Sequence, residues 1–121
     1  MSKPLILVVE DDPHQAMVIS DELRDEGYEV HTVHTGQEAI TFVQERRPNV
    51  VVLDIHMPEM DGIEVLHRML DIDRHLPVIL HTAYPSYQDD LRTWSAVRYV
   101  VKTSDMRSLK EAVAQVLLGG K

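Results

Sequence analysis

Four short apolar runs, LILVV (5–9), VVVL (50–53), PVIL (77–80) and YVV (99–101), alternate with stretches whose apolar residues recur at helical spacing. No other feature constrains the fold as tightly. Unbroken runs of this length, bounded by polar residues, read as strands buried on both faces of a parallel sheet. A fifth segment, YEVHTVHT (28–35), alternates apolar with polar residues and reads as a strand at the sheet edge.

The intervening stretches carry helix signals. Asp12-Pro13-His14-Gln15 offers an N-cap, a proline at the first helical position and a capping-box glutamine. Ala16, Ile19 and Leu23 follow as an inward stripe, and Gly27 closes the helix. Thr35-Gly36-Gln37-Glu38 is a second capping box, ahead of Ile40 and Val43. Asp61-Gly62-Ile63-Glu64 is a third, ahead of Leu66 and Met69 or Leu70. A fourth helix is expected between about 86 and 94, with a thin apolar stripe. The last begins near Ser104 and places Met106, Leu109, Val113, Val116 and Leu117 at helical spacing.

Strands alternating with helices make a (βα)5 chain: an α/β, doubly wound five-stranded parallel sheet with helices on both faces. Right-handed crossovers and an order of 2-1-3-4-5 put the polar second strand at an edge and the first and third inside. The strand order then reverses between strands 1 and 3. Ligands in such sheets sit outside the carboxyl ends of the strands at that point.

Composition narrows the function classes. With 121 residues, 44% hydrophobic and 26% charged, the chain suits one domain over 1–121 with a single core and no effector domain. The net charge of -8 argues against nucleic acid or an anionic membrane as the main partner, and for a cation, a metal ion or a basic protein surface. There is no cysteine, hence neither a disulfide framework nor a thiolate metal site. The N-terminal apolar run meets acid after five residues, too short for a signal peptide or a membrane span, so a cytoplasmic location is expected.

The expected carboxyl ends of the strands carry Glu10-Asp11-Asp12, Asp54, Thr82 and Lys102. Asp11 and Asp54 should face one another on neighbouring strands. Two carboxylates about 4 Å apart repel by roughly 4 kcal/mol at an effective dielectric of about 20. Something cationic must hold both ionised. An all-oxygen site suits a hard divalent ion, Mg2+ above all, or Mn2+ in its place. A carboxylate nucleophile, a metal, an ammonium and a hydroxyl together meet the needs of phosphoryl transfer.

Four motifs in order, VVEDDP, VVLDIHMPEMDG, HTAYPS and YVVKTSD, resemble the receiver domain of two-component response regulators, a flavodoxin-like, chemotaxis-regulator-like fold. The resemblance runs from Leu5 to about Leu118. It implies that Asp54 accepts a phosphoryl group from a histidine kinase or phosphotransfer protein. Asp11 would be the main metal carboxylate, Glu10 its helper and the His56 backbone carbonyl a further ligand. Thr82 and Lys102 would contact the phosphoryl oxygens, and Tyr99 would be the aromatic switch residue that rotates as Thr82 moves. The fourth helix, fifth strand and fifth helix, with Arg92, Trp94, Arg98, Tyr99 and Arg107, would signal to an output domain or partner protein. The resemblance also leaves room for a phosphorylation-linked homodimer. Such a domain is a signalling switch that catalyses only its own phosphorylation and slow hydrolysis. His56 and Tyr84 occupy positions that set the lifetime of the phosphoryl group, here by limiting water access.

Some residues have plainer roles. Asp12 reads as a helix cap rather than a metal ligand. Pro58 and Gly62 shape the loop after Asp54. His31 and His34, three apart in a strand, point to opposite faces and make no zinc pair. His81 should face the helical layer as a satisfied core histidine. Three other readings fit less well. A haloacid-dehalogenase-type phosphatase normally has an aspartate where His56 stands. A flavodoxin-like carrier wants a Ser/Thr/Gly-rich phosphate loop in place of EDDPHQ. A degenerate receiver that only binds partners would not keep Asp11, Asp54, Thr82 and Lys102 together. One departure from the family stands out: receivers usually have proline, joined by a cis bond, after the lysine, and here Thr103 follows Lys102. A non-proline cis bond costs about 2.5–4 kcal/mol, so a trans bond is expected.

Overall fold

The computed structural model describes residues 3–58, 60–83 and 95–119. Five strands, β1 (Leu5–Val9), β2 (Glu29–Val33), β3 (Val50–Leu53), β4 (Val78–Thr82) and β5 (Arg98–Val101), form one sheet in the order β2-β1-β3-β4-β5. All four neighbouring pairs are parallel. The expected order is therefore the observed one, with β2 at an edge. The helices are α1 (Pro13–Asp25), α2 (Gly36–Glu45), α3 (Gly62–Ile72) and α4 (Arg107–Leu117). The helix expected between 86 and 94 lies outside the described residues, as do Tyr84, Arg92 and Trp94.

Period-two alternation of side chains sends each buried strand into two cores. Leu7 and Val9 of β1, with Val51 and Leu53 of β3, pack against Ala39, Ile40 and Val43 of α2 and Val65, Leu66 and Met69 of α3. Ile6 and Val8, with Val50 and Val52, pack on the other face against Ile19 and Leu23 of α1 and Leu109, Val113 and Val116 of α4. That is why β1 and β3 are apolar at every position: neither face meets water. Each fully buried aliphatic side chain contributes about 1.5–3 kcal/mol relative to exposure. Among the described residues no helix is long and apolar enough to cross a membrane.

The caps follow the sequence, with differences in detail. Asp12 Oδ1 accepts from the backbone N–H groups of His14 (2.9 Å) and Gln15 (3.4 Å), and Gly27, at φ 94°, ends the helix in the left-handed region that glycine favours. Thr35 caps α2 through Glu38 N–H, and Asp61 caps α3 through Ile63 N–H. The Glu38 carboxylate turns back toward its cap, taking hydrogen bonds from the His34 N–H and the Thr35 hydroxyl, and the Gln15 amide nitrogen lies 3.4 Å from the Asp12 carboxylate. β4 runs two residues past the apolar run, through His81 and Thr82, because their backbones still pair with Val100 and Val101. The last helix starts at Arg107 rather than near Ser104. Thr103 Oγ1 donates to the Asp105 carbonyl (2.6 Å) and Asp105 Oδ1 accepts from Arg107 N–H (2.9 Å), which holds the preceding residues in a turn. Among the described residues no peptide bond is cis, so Lys102–Thr103 is trans as expected.

Gly62 shapes the loop after Asp54 by close approach. Its N–H donates to the Ile55 carbonyl at 2.8 Å, and a Cβ there would lie 2.5 Å from the Asp54 carbonyl oxygen. The start of α3 thus rests directly on the backbone that follows β3. Gly62→Ala is expected to lower unfolding free energy by about 1–3 kcal/mol, through displacement of backbone that cannot yield as a side chain would. Denaturant unfolding checks this, and unchanged stability would contradict it.

Candidate functional site

β1, β3 and β5 end on the same edge of the sheet, and each delivers a charged residue there. The ladder continues one residue beyond β1 and β3: Glu10 N–H donates to the Val33 carbonyl and Asp54 N–H to the Val9 carbonyl, both at 3.1 Å. These bonds fix the two acids while their side chains project past the apolar layer. Glu10 is 2% exposed and Asp54 7%, unusual values for carboxylates. Lys102 follows β5, and its N–H donates to the Thr82 carbonyl at 2.6 Å.

The ammonium of Lys102 pairs with both acids, with Glu10 Oε1 and with Asp54 Oδ2, the latter at 3.1 Å. The other Asp54 oxygen accepts from the His56 N–H at 3.1 Å. Burial and the negative charge of Asp54 push the Glu10 carboxyl up to about 7, against the lowering effect of its hydrogen bond from Lys102. Burial alone would pull Lys102 down, but the Glu10 hydrogen bond and the charges of Asp54 and Glu10 outweigh it and the net shift is upward.

Glu10, Asp11 and Asp54 each offer an oxygen, all within 4.8 Å of one another, and among the described residues this group contains no histidine. The donor set fits a hard divalent ion: three carboxylates, two of them buried, with no soft ligand. The cleft above Asp54, about 230 Å³, is lined by Glu10, Asp11, Asp12, Gln15, Asp54, His56, Ala83 and Lys102. Of the residues expected at the site, the structure brings Glu10, Asp11, Asp54, His56 and Lys102 together. Thr82 is fully buried at the end of β4 and Ala83, not Thr82, lines the cleft. Tyr99 is half-buried against the core shared by α2 and α3. His56 is exposed, and the contact the structure gives it with Asp54 is through its amide.

Two neighbours were not legible as site residues. Gln15 reads in sequence as a capping residue, yet its amide oxygen accepts from Lys102 Nζ at 2.7 Å. Only its place in the first turn of a helix that starts beside the acids hints at this. His34 holds Glu10 in place, its Nδ1 lying 3.0 Å from the Glu10 carbonyl oxygen. His31 instead stacks on Phe42, with ring centroids 4.7 Å apart.

His81 corrects an expectation. It is buried on the helical layer at 4% exposure, but among the described residues its Nδ1 has no hydrogen-bond partner. It borders a cleft of about 220 Å³ behind Lys102, together with His14, Gln15, Ile19 and Met106. Burial, with a smaller effect from the Lys102 charge, lowers its pKa to about 4, so the imidazole is neutral.

Comparison with known proteins places this geometry. The sequence profile of the response regulator receiver domain matches residues 6–114. The sporulation initiation phosphotransferase F of Bacillus subtilis is 32% identical over 97% of this chain and 96% of its own length. The probable transcriptional regulatory protein TcrX of Mycobacterium tuberculosis is 42% identical over 69% of this chain. The chain spans only 36% of TcrX and 25% of the regulatory protein AtoC of Escherichia coli. Among solved structures, the response regulator TrrA of Thermotoga maritima in complex with Mg2+-BeF superposes with a TM-score of 0.91. It is 38% identical, covering 93% of this chain and 98% of that one. TrrA in complex with the histidine kinase ThkA superposes at 0.89, again with 38% identity, over 94% and 98% of the two chains.

Two outcomes follow from these electrostatics. Lys102→Met leaves the carboxylates of Glu10 and Asp54 without their ammonium, which should cost about 2–4 kcal/mol of stability when no divalent ion is present. Mg2+ should then raise the melting temperature of this variant by more than it raises that of the wild type, since the ion no longer competes with Lys102 for Glu10. A smaller Mg2+-dependent rise would contradict this account.

His81 and Glu10 have opposite linkage to pH. The unfolded chain binds the extra proton at His81 between pH 6.5 and about 4, so stability is lost as pH falls through that window. The folded chain binds the extra proton at Glu10 between 4.5 and about 7, so there stability is lost as pH rises. The wild-type profile mixes both. His81→Phe should therefore gain stability relative to wild type as pH falls from about 6.5 to 4, by up to about 3 kcal/mol. A stability difference independent of pH, measured by denaturant unfolding, would rule this out.

Proposed function

The chain belongs to the response regulator receiver family, and from that membership we propose that it is a phospho-accepting switch. In this reading Asp54 takes a phosphoryl group from a histidine kinase or phosphotransfer protein. Mg2+, or Mn2+, is held by Glu10, Asp11, Asp54 and the His56 carbonyl. The observation that carries the reading is the meeting of Asp54, two further acids and Lys102 in one cleft at the ends of β1, β3 and β5.

An Asp54 carboxylate oxygen attacks phosphorus, the P–N bond to the donor histidine breaks, and the electron pair leaves with the histidine nitrogen. A divalent ion, when bound, neutralises charge on the phosphoryl oxygens. Lys102 turns its Asp54-directed hydrogen bond onto a phosphoryl oxygen. The hydroxyl of Thr82 donates to another, and Tyr99 rotates as Thr82 moves. Support for that coupling is the pairing of β4 with β5, which sets Tyr99 opposite Leu80, two residues before Thr82, and ties Lys102 to the Thr82 carbonyl.

The changed surface is that of β5 and α4, including Arg98, Tyr99 and Arg107, and the expected members Arg92 and Trp94 lie outside the described residues. It signals to an output domain or partner protein, or to a second copy of the chain. Residues 1–121 act as a single cytoplasmic receiver domain that binds neither nucleic acid nor membrane directly. The domain catalyses its own phosphorylation and slow hydrolysis and turns over no other substrate. His56 and Tyr84 set how long the phosphoryl group lasts.

Labelling with acetyl phosphate, with and without Mg2+, tests this reading on wild type and Asp54→Asn. Mg2+-dependent incorporation of one phosphoryl group per wild-type chain is expected, with none on the variant. Equal labelling of both proteins would overturn the assignment. In the same assay, a decay rate unaltered by alanine at both His56 and Tyr84 would remove them from it.

A further inference from the structure

The ammonium of Lys102 has three N–H bonds, and each has an acceptor. Two are the anions Glu10 and Asp54; the third is the amide oxygen of Gln15, at 2.7 Å. Gln15 is 87 residues away in sequence and belongs to another element, the first turn of α1. Its polarity is set from behind. Its backbone N–H and its amide nitrogen both lie 3.4 Å from the Asp12 carboxylate, so the amide oxygen is the end that faces Lys102. The same side chain borders the cleft above Asp54 and the cleft behind Lys102, and so forms part of the wall between them.

We propose that Gln15 is a positioning residue for phosphoryl transfer, holding the Lys102 ammonium between Glu10 and Asp54 through its neutral amide oxygen. The inference rests on Asp54 being the phosphoacceptor. Hydrogen bonds to ionised acceptors are roughly twice as strong as those between neutral groups, so the two carboxylates alone would draw the ammonium toward the buried Glu10. A neutral third acceptor directs the lysine without trapping it. As charge builds on the phosphoryl oxygens, Lys102 turns its carboxylate-directed bonds toward them and keeps the Gln15 bond as a pivot. A carboxylate at position 15 would compete with the phosphoryl group for the ammonium. A hydrocarbon would give up the pivot.

The test is a double-mutant cycle in the whole chain: wild type, Gln15→Met, Lys102→Ala and the double variant, with Asp54→Asn as control. Methionine keeps the length of the side chain and removes the amide, both the acceptor for Lys102 and the long, 3.4 Å donor contact to Asp12, and the Lys102→Ala background separates the two. Rates of phosphorylation by acetyl phosphate and affinity for beryllofluoride, both with Mg2+, are read on each protein, and the second readout needs no turnover. Gln15→Met should lower the maximal rate and the beryllofluoride affinity by about 3- to 10-fold, the scale of one partly exposed hydrogen bond. Half-saturating Mg2+ should move less than about twofold, since Gln15 is no metal ligand. In the Lys102→Ala background the same substitution should change beryllofluoride affinity by less than about 1.5-fold. An equal loss in both backgrounds, or no loss in the first, overturns the role of Gln15 alone. Wild type labelled no better than Asp54→Asn overturns the phosphoacceptor reading itself.

Discussion

One ammonium, that of Lys102, stands among three carboxylates at the edge of the sheet, and the rest of the structure is arranged around that meeting. Glu10 and Asp54 are almost fully buried and would repel one another without it. Holding such a cluster takes rigid supports, because an ion pair repays its desolvation only with good geometry. The supports are the backbone ladders that run one residue past β1 and β3, and the bond from Lys102 to the Thr82 carbonyl. Gly62 lets α3 press on the chain just after Asp54. The two apolar cores on either face of the sheet keep those backbones still.

This arrangement also explains how the site can change state. The lysine shares its bonds between two acids, and the same acids supply the oxygens that suit a divalent ion. A divalent cation held by Glu10, Asp11 and Asp54 would therefore compete with the lysine for Glu10. The family to which the chain belongs consists of signalling switches, and a site whose charge balance can be redistributed without unfolding its supports suits one.

Much of the fold can be read directly. LILVV and VVVL become β1 and β3 with the same bounds, because a strand buried on both faces must be apolar throughout. The caps Asp12, Thr35 and Asp61 are also legible, since capping depends on residues two or three apart. Departures occur where polar residues belong to elements for non-local reasons. His81 and Thr82 extend β4 because β5 pairs with them, and α4 starts late because Asp105 uses its carboxylate to close a turn.

The sequence by itself determined the alternating architecture, the edge at which charge collects, and the identity of Asp11, Asp54 and Lys102 as its principal members. These follow from periodicity, from the rule that strand ends at a switch point meet, and from motif order. Only the tertiary structure decided which groups touch. Glu10 is paired with a lysine 92 residues away, Gln15 keeps its contacts with the Asp12 cap while its amide oxygen takes a bond from that same lysine, and among the described residues His81 is buried without a partner for Nδ1. Distances across the sheet and the depth of burial set these contacts, and both arise only when separate elements pack. Local sequence pattern carries neither quantity.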